Sequence, residues 1–162
     1  MKIVSGGQTG VDRAALDVAL RHGIECGGWC PAGRLDEFGR IPDGYPLCEL
    51  AAGGFRERTL QNIKDSDGTV IIYPGKLQGG TKQTVQFCVA QKRPHLLIDA
   101  SRVSATEAAK LITDFVRTHQ IDILNIAGPR QSEWTEGYDY ASRALDTFAE
   151  WMTSARQRQD HS

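Results

Sequence analysis

Apolar residues along this chain alternate between two periods. Lys2–Ser5 is a short apolar strand, and Val11, Ala14, Ala15 and Val18 then recur at helical spacing up to His22, where Gly23 stops the helix. Ile24–Trp29 predicts a second short strand. Phe55–Asp65 predicts a helix ended by Ser66-Asp67-Gly68, and Thr69–Tyr73 is a continuous apolar run of the kind buried on both faces of a parallel sheet. A helix over about Thr81–Lys92 leads to a strand at His95–Asp99. Ser104-x-x-Glu107 is a capping box opening a helix with Ala108, Leu111, Ile112, Phe115 and Val116 on one face. Asp122–Ala127 predicts the last strand, and Tyr138–Ser154 a final amphipathic helix burying Ala141, Leu145, Phe148 and Met152. Strand and helix alternate throughout, which predicts an α/β three-layer sandwich: a mainly parallel sheet of about five strands with helices on both faces.

Composition adds boundaries to this picture. With 162 residues, no repeat and no linker, the chain is expected to form one domain over 1–154, followed by a polar, frayed tail over 155–162. A net charge of −1 removes bulk attraction to nucleic acid or to an anionic membrane. No apolar run is long enough to span a bilayer and no signal peptide opens the chain, so a cytoplasmic location is expected. Cys26, Cys30, Cys48 and Cys88 include no CxxC pair, so reduced thiols are expected in preference to a metal or redox site, and no metal ligands are assigned.

Candidate chemistry lies in the segments that follow strands. In a parallel sheet these all emerge at one edge, where ligands of such folds bind. Gly6-Gly7-Gln8-Thr9-Gly10 joins the first strand to the first helix, and Gly79-Gly80-Thr81 opens a later one. Glycines let backbone approach an anion closely, and a helix start supplies unpaired N–H groups and partial positive charge. Thr9-x-x-Asp12 matches a capping box, and Thr81 is expected to cap its helix or to donate its hydroxyl to the ligand. Neither run has the dinucleotide GxGxxG or the GxxxxGK[ST] spacing, so NAD binding and a Walker ATPase are not indicated. Arg13, Arg34, Arg40, Arg58, Lys82 and Arg130 stand near these segments; Arg34, in the long irregular stretch Cys30–Tyr45, and Arg130, just after the last strand, are best placed to neutralise a phosphate. Asp12, Asp36, Glu37 and Asp43 are candidate acceptors for ribose or pterin donors, and Trp29, Tyr45 and Trp134 candidate stacking partners. Thr84, Asn125 and Ser132 complete the secondary candidates. His22, His95, His119 and His161 all lie away from the carboxyl edge, and neither GxSxG nor HExxH occurs, so no catalytic residue is assigned.

Five motifs in order carry a resemblance. Gly6-Gly-Gln-Thr-Gly-Val-Asp-Arg, Gly28-Trp-Cys-Pro-Ala-Gly-Arg with Pro42-Asp-Gly-Tyr-Pro-Leu, Arg58-Thr-x-x-Asn62-x-x-Asp65, Gly79-Gly-Thr-x-x-Thr84 and Leu124-Asn-Ile-Ala-Gly-Pro-Arg130-x-Ser132 closely resemble the putative molybdenum carrier family, a branch of the SLOG superfamily related to the lonely-guy phosphoribohydrolases. The resemblance spans about Met1–Trp151. It implies a Rossmann-like domain, a homo-oligomer (dimer or tetramer), and a small anionic ligand: the molybdenum cofactor or a nucleotide. The related hydrolases carry PGGxGTxxE with a working glutamate; Thr84 stands in its place here, and threonine cannot move protons as a carboxylate does at neutral pH. The chain therefore resembles the binders more than the hydrolases. Cleavage of an N-glycosidic bond would need a carboxylate from Asp12, Asp36 or Asp43. A nucleotide-sensing subunit with its last helix as interface is a third reading.

Overall fold

The computed structural model describes all residues 1–162. Five parallel strands form the main sheet: β1 (Lys2–Val4), β2 (Glu25–Gly27), β7 (Gly68–Tyr73), β8 (His95–Asp99) and β9 (Ile123–Ala127), in the order β2-β1-β9-β7-β8. The last strand thus inserts between the first and the third. Counting from β9 as though it came first turns the order into 3-2-1-4-5, the doubly wound arrangement, whose strand order reverses between the first and fourth strands. Here that reversal lies between β9 and β7.

The helices α1 (Val11–Arg21), α4 (Ala105–Thr118) and α5 (Gly137–Asp160) pack on one face, and α2 (Phe55–Lys64) and α3 (Gly79–Ala90) on the other. The two faces are unequal. A core of 23 buried residues lies under α1, α4 and α5, with Ile3, Val70, Ile72, Leu124 and Ile126 pointing into it from the strands. Under α2 and α3 the fully buried apolar cluster is Ile63, Ile71 and Cys88, and the sheet offers Thr69 and Asn125 on that side. Less apolar burial there leaves room for polar groups, and it is on this face that a cleft opens.

The expected α/β sandwich is present. Three local readings differ. The predicted strand Ile24–Trp29 stops at Gly27; Gly28, at φ 123, turns the chain so that β3 (Trp29–Cys30) pairs with β6 (Cys48–Glu49) in a separate two-stranded sheet. The irregular stretch Cys30–Tyr45 is ordered, with a hairpin of β4 (Leu35–Asp36) and β5 (Gly39–Arg40) at its tip. The last helix runs through the expected frayed tail to Asp160. The predicted box at Ser104 and Glu107 is formed in both directions. No helix is long and apolar enough to cross a membrane.

Candidate functional site

The cleft, of about 240 Å³, lies at the carboxyl edge of the sheet between α2, α3 and the exits of β1 and β9. Its floor includes Asn125, which donates to Thr69 Oγ1 at 3.2 Å across the β7–β9 register. One wall is the start of α3, with Gly80, Thr81, Gln83 and Thr84. A Cβ on Gly80 would meet nothing within 4 Å, so the first turn of α3 is open at that position, and its leading N–H groups have no partner within the helix. Gln78 caps this helix without any side-chain bond. Thr84 Oγ1 donates back to the Gly80 carbonyl at 2.9 Å.

The facing wall is α2. Phe55, Arg58, Thr59 and Asn62 recur at helical spacing on its cleft side, joined by Arg56. Asn62 is fixed by a two-way bond to the backbone of Trp29, accepting its N–H at 2.7 Å and donating to its carbonyl at 3.0 Å. Arg58 reaches across to Asp12 at 3.0 Å and lies flat against the backbone at Gly6, where any Cβ would collide with the guanidinium. Its Nε is buried without a hydrogen-bond partner. Asp12 is 3% exposed and also accepts the Gln8 N–H at 3.3 Å. Burial pushes its carboxyl pKa above the ordinary 3.8, and the nearby Arg58 guanidinium only partly offsets this.

The first glycine-rich turn is built differently. Gly7 N–H goes to Ser5 Oγ, Gln8 N–H to Asp12, Thr9 N–H to Gln8 Oε1, and Val11 N–H to the Pro129 carbonyl. Thr9 Oγ1 donates to Glu37 at 2.9 Å and accepts the Gln131 N–H at 3.1 Å. The predicted capping box at Thr9 and Asp12 is therefore not formed; Gly10 is the N-cap. The second Glu37 oxygen accepts the Ser132 N–H at 3.2 Å. A carboxylate from the hairpin tip thus sits where the loops after β1 and β9 present donors.

Placement of the remaining candidates follows from these contacts. Gly6, Gln8, Asp12, Arg58, Gly80, Thr81, Thr84, Asn125 and Arg130 line the cleft. Gly7, Thr9, Gly10, Gly79 and Ser132 adjoin it without lining it. Arg34 is elsewhere: its guanidinium donates to the carbonyls of Ile41, Pro42, Leu47 and Tyr45 and clasps the base of the hairpin stretch. Asp43 is exposed and paired with Arg40, and Asp36 is paired with Arg13 at 2.9 Å. Tyr45 donates to Asp17 at 2.6 Å under the Arg13 guanidinium, and burial with that bond pushes its pKa up to about 12. Trp29 donates to Asp65, and Trp134 packs on Tyr140, so none of the three expected stacking aromatics reaches the cleft; Phe55 does. Phe55, Arg56, Thr59, Asn62, Gln83 and Glu133 join the site from outside the candidates. The signal for two of them, Thr59 and Asn62, was the polar residues at inward-facing helical positions of Phe55–Asp65. No group of three or more His, Cys, Asp or Glu side chains is placed to hold a metal ion.

Comparison with known proteins supplies two findings. Residues 3–149 match the model of a family described as the circularly permutated YpsA SLOG family. The crystal structure of a protein titled "putative molybdenum carrier protein", from Syntrophus aciditrophicus, superposes with a TM-score of 0.89 at 48% identity, covering 91% of this chain and 93% of that one. No curated protein matches the chain.

Proposed function

The chain belongs to the circularly permuted YpsA SLOG family, and from that premise we propose that its cleft binds a small, phosphate-bearing heterocycle, as a carrier or binding protein. One observation carries the reading: the unobstructed start of α3 at Gly80 and Thr81 faces, across the cleft, an arginine whose Nε is buried without a partner. Buried polar atoms without partners are rare, and a turn of the Arg58 side chain toward the cleft would give this one a ligand oxygen as partner. The phosphate lies against the Gly80 and Thr81 N–H groups, and the ring lies toward Phe55, Asn62 and Asn125. About 240 Å³ is near the small end of ligand clefts (roughly 300–1,000 Å³), which suits one phosphate and one ring system over a dinucleotide. The solved relative is named for a molybdenum carrier. Molybdopterin is a phosphate-bearing heterocycle of this class, and we propose the molybdenum cofactor as cargo, with a nucleoside monophosphate as the chemical alternative. Gly80→Asp tests the site. It adds a negative charge into open space, so the fold is kept, and calorimetric titration with AMP as probe should show at least a tenfold loss of affinity. Unchanged affinity would refute the placement.

One observation favours a second reading, N-glycosidic cleavage. Of the three carboxylates weighed for it, Asp12 alone lines the cleft, and burial raises its pKa as acid–base catalysis requires. Release of ribose 5-phosphate from AMP, lost in Asp12→Asn with the fold retained, would support it; intact AMP after long incubation would remove it.

A further inference from the structure

The arginines at this edge are paired with the chain's own carboxylates. Arg13 meets Asp36, Arg58 meets Asp12, and Arg130 stands between Glu133 at 2.8 Å and Glu37 at 3.9 Å. The carboxylates differ in freedom. The side chains of Asp12 and Glu37 are 4% and 6% exposed and hold backbone N–H groups; that of Glu133 is 41% exposed and pairs with Arg130 alone. Glu133 is also the one that crosses the cleft: its Oε2 lies 3.7 Å from the point where a Cβ on Gly79 would stand, beside the first turn of α3.

We infer that Glu133 is a displaceable internal anion: paired with Arg130 and standing beside the start of α3, it competes with the ligand's phosphate for Arg130 and for the space at that helix start. This deepens the reading of the cleft as a phosphate site and rests on it. A carboxylate paired with an arginine beside a helix N-terminus occupies the same favourable field that a phosphate oxygen would. An arriving dianion cannot share that space without repulsion, so Glu133 must swing out toward solvent, and its exposure permits this. Arg130 is then freed from Glu133 and turns to the ligand. The arrangement sets a threshold: weak monoanions fail to displace the side chain, whereas phosphate monoesters and pyrophosphate succeed. It also gives a carrier a built-in release step, since the returning carboxylate helps expel the anion.

The test is calorimetric titration of inorganic pyrophosphate into the wild type, Glu133→Gln, Gly80→Asp and the double variant, with thermal midpoints showing that each is folded. Glu133→Gln keeps the shape and removes the charge. It should bind at least about fivefold tighter, the effect of one unit charge at roughly 4 Å even in the dielectric of bulk water. Gly80→Asp should cancel the gain, which places it at α3. Equal or weaker binding by Glu133→Gln, with wild-type binding intact and sensitive to Gly80→Asp, overturns this inference and leaves the cleft reading standing. Binding insensitive to Gly80→Asp, or no binding by either the wild type or Glu133→Gln at millimolar pyrophosphate, overturns both.

Discussion

Two parallel strands in this molecule run into glycine-rich turns that open helices, and the turns have become opposite things. After β1, the middle of Gly6–Gly10 is filled from within: Ser5, Asp12 and Gln8 take the N–H groups of Gly7, Gln8 and Thr9, Glu37 takes the Thr9 hydroxyl, and the Pro129 carbonyl takes the N–H of Val11. Its glycines are needed because other parts of the chain press on them, Gly10 against the Pro129 carbonyl and Gly6 against Arg58. After β7, a Cβ on Gly79 would meet only Glu133 and one on Gly80 nothing, so this turn's glycines face open space, while Thr81 is buried. The first turn is a joint holding three loops together; the second is the docking point of the function we propose. Glycine at a helix start permits either outcome, and the carboxylates nearby decide which.

The largest expected effect that would break this contrast is at Gly10. It sits at φ 81, and an added Cβ would stand 2.7 Å from the Pro129 oxygen, so Gly10→Ala should cost about 2 kcal/mol or more from left-handed strain and backbone collision. Urea unfolding measures it, and a cost under about 0.5 kcal/mol would contradict the joint. Next, Arg58→Gln should cost about 2–3 kcal/mol, since it leaves Asp12 buried without its counter-charge. It should also move the Asp12 titration further up. The folded-state pKa is already above 3.8. The stability that the neutral acid contributes is therefore complete below 3.8 and is lost as pH rises through the folded value, and in Arg58→Gln that window extends to higher pH. Carboxyl-carbon NMR against pH reads both proteins, and a downward move would contradict the assignment of Arg58 as the group that lowers it.

Glu37→Ala should cost about 2 kcal/mol, because it releases the Ser132 N–H and the Thr9 hydroxyl together; hydrogen exchange at Ser132 should quicken. The smallest effect sharpens the contrast from the other side. Gly80→Ala should be neutral or stabilise by about 0.5–1 kcal/mol, because it places a better helix former in open space. A cost as large as that of Gly10→Ala would erase the distinction between the two turns.

The sheet was legible because Thr69–Tyr73 and the strands around it alternate with amphipathic helices, and parallel pairing follows from that alternation. The edge carrying the cleft was legible for the same reason. The roles within it were harder to read. Arg34 and Arg130 are alike in sequence, yet Arg34 clasps four carbonyls of its own loop; no local pattern encodes a contact with Leu47 and Tyr45. Glu37 reaching Thr9 and Ser132 spans 28 and 95 positions along the chain, and only the folded hairpin brings them together. Trp29, Tyr45 and Trp134 stay out of the cleft because each already has a partner, Asp65, Asp17 and Tyr140, and the aromatic that lines it is Phe55. Arg58 and Asn62 could have pointed to α2 as a wall, since polar residues on the inward face of a helix need polar company.

The central claim is that the turn at α3, and not the one at α1, receives the anion. Backbone amide NMR during titration with AMP addresses it without any mutation. The account predicts the largest shifts at the Gly79, Gly80 and Thr81 amides, with Gly7, Gln8 and Thr9 little moved because their N–H groups already have partners. Shifts concentrated at Gly7–Gly10, with Gly80 and Thr81 unmoved, would contradict it.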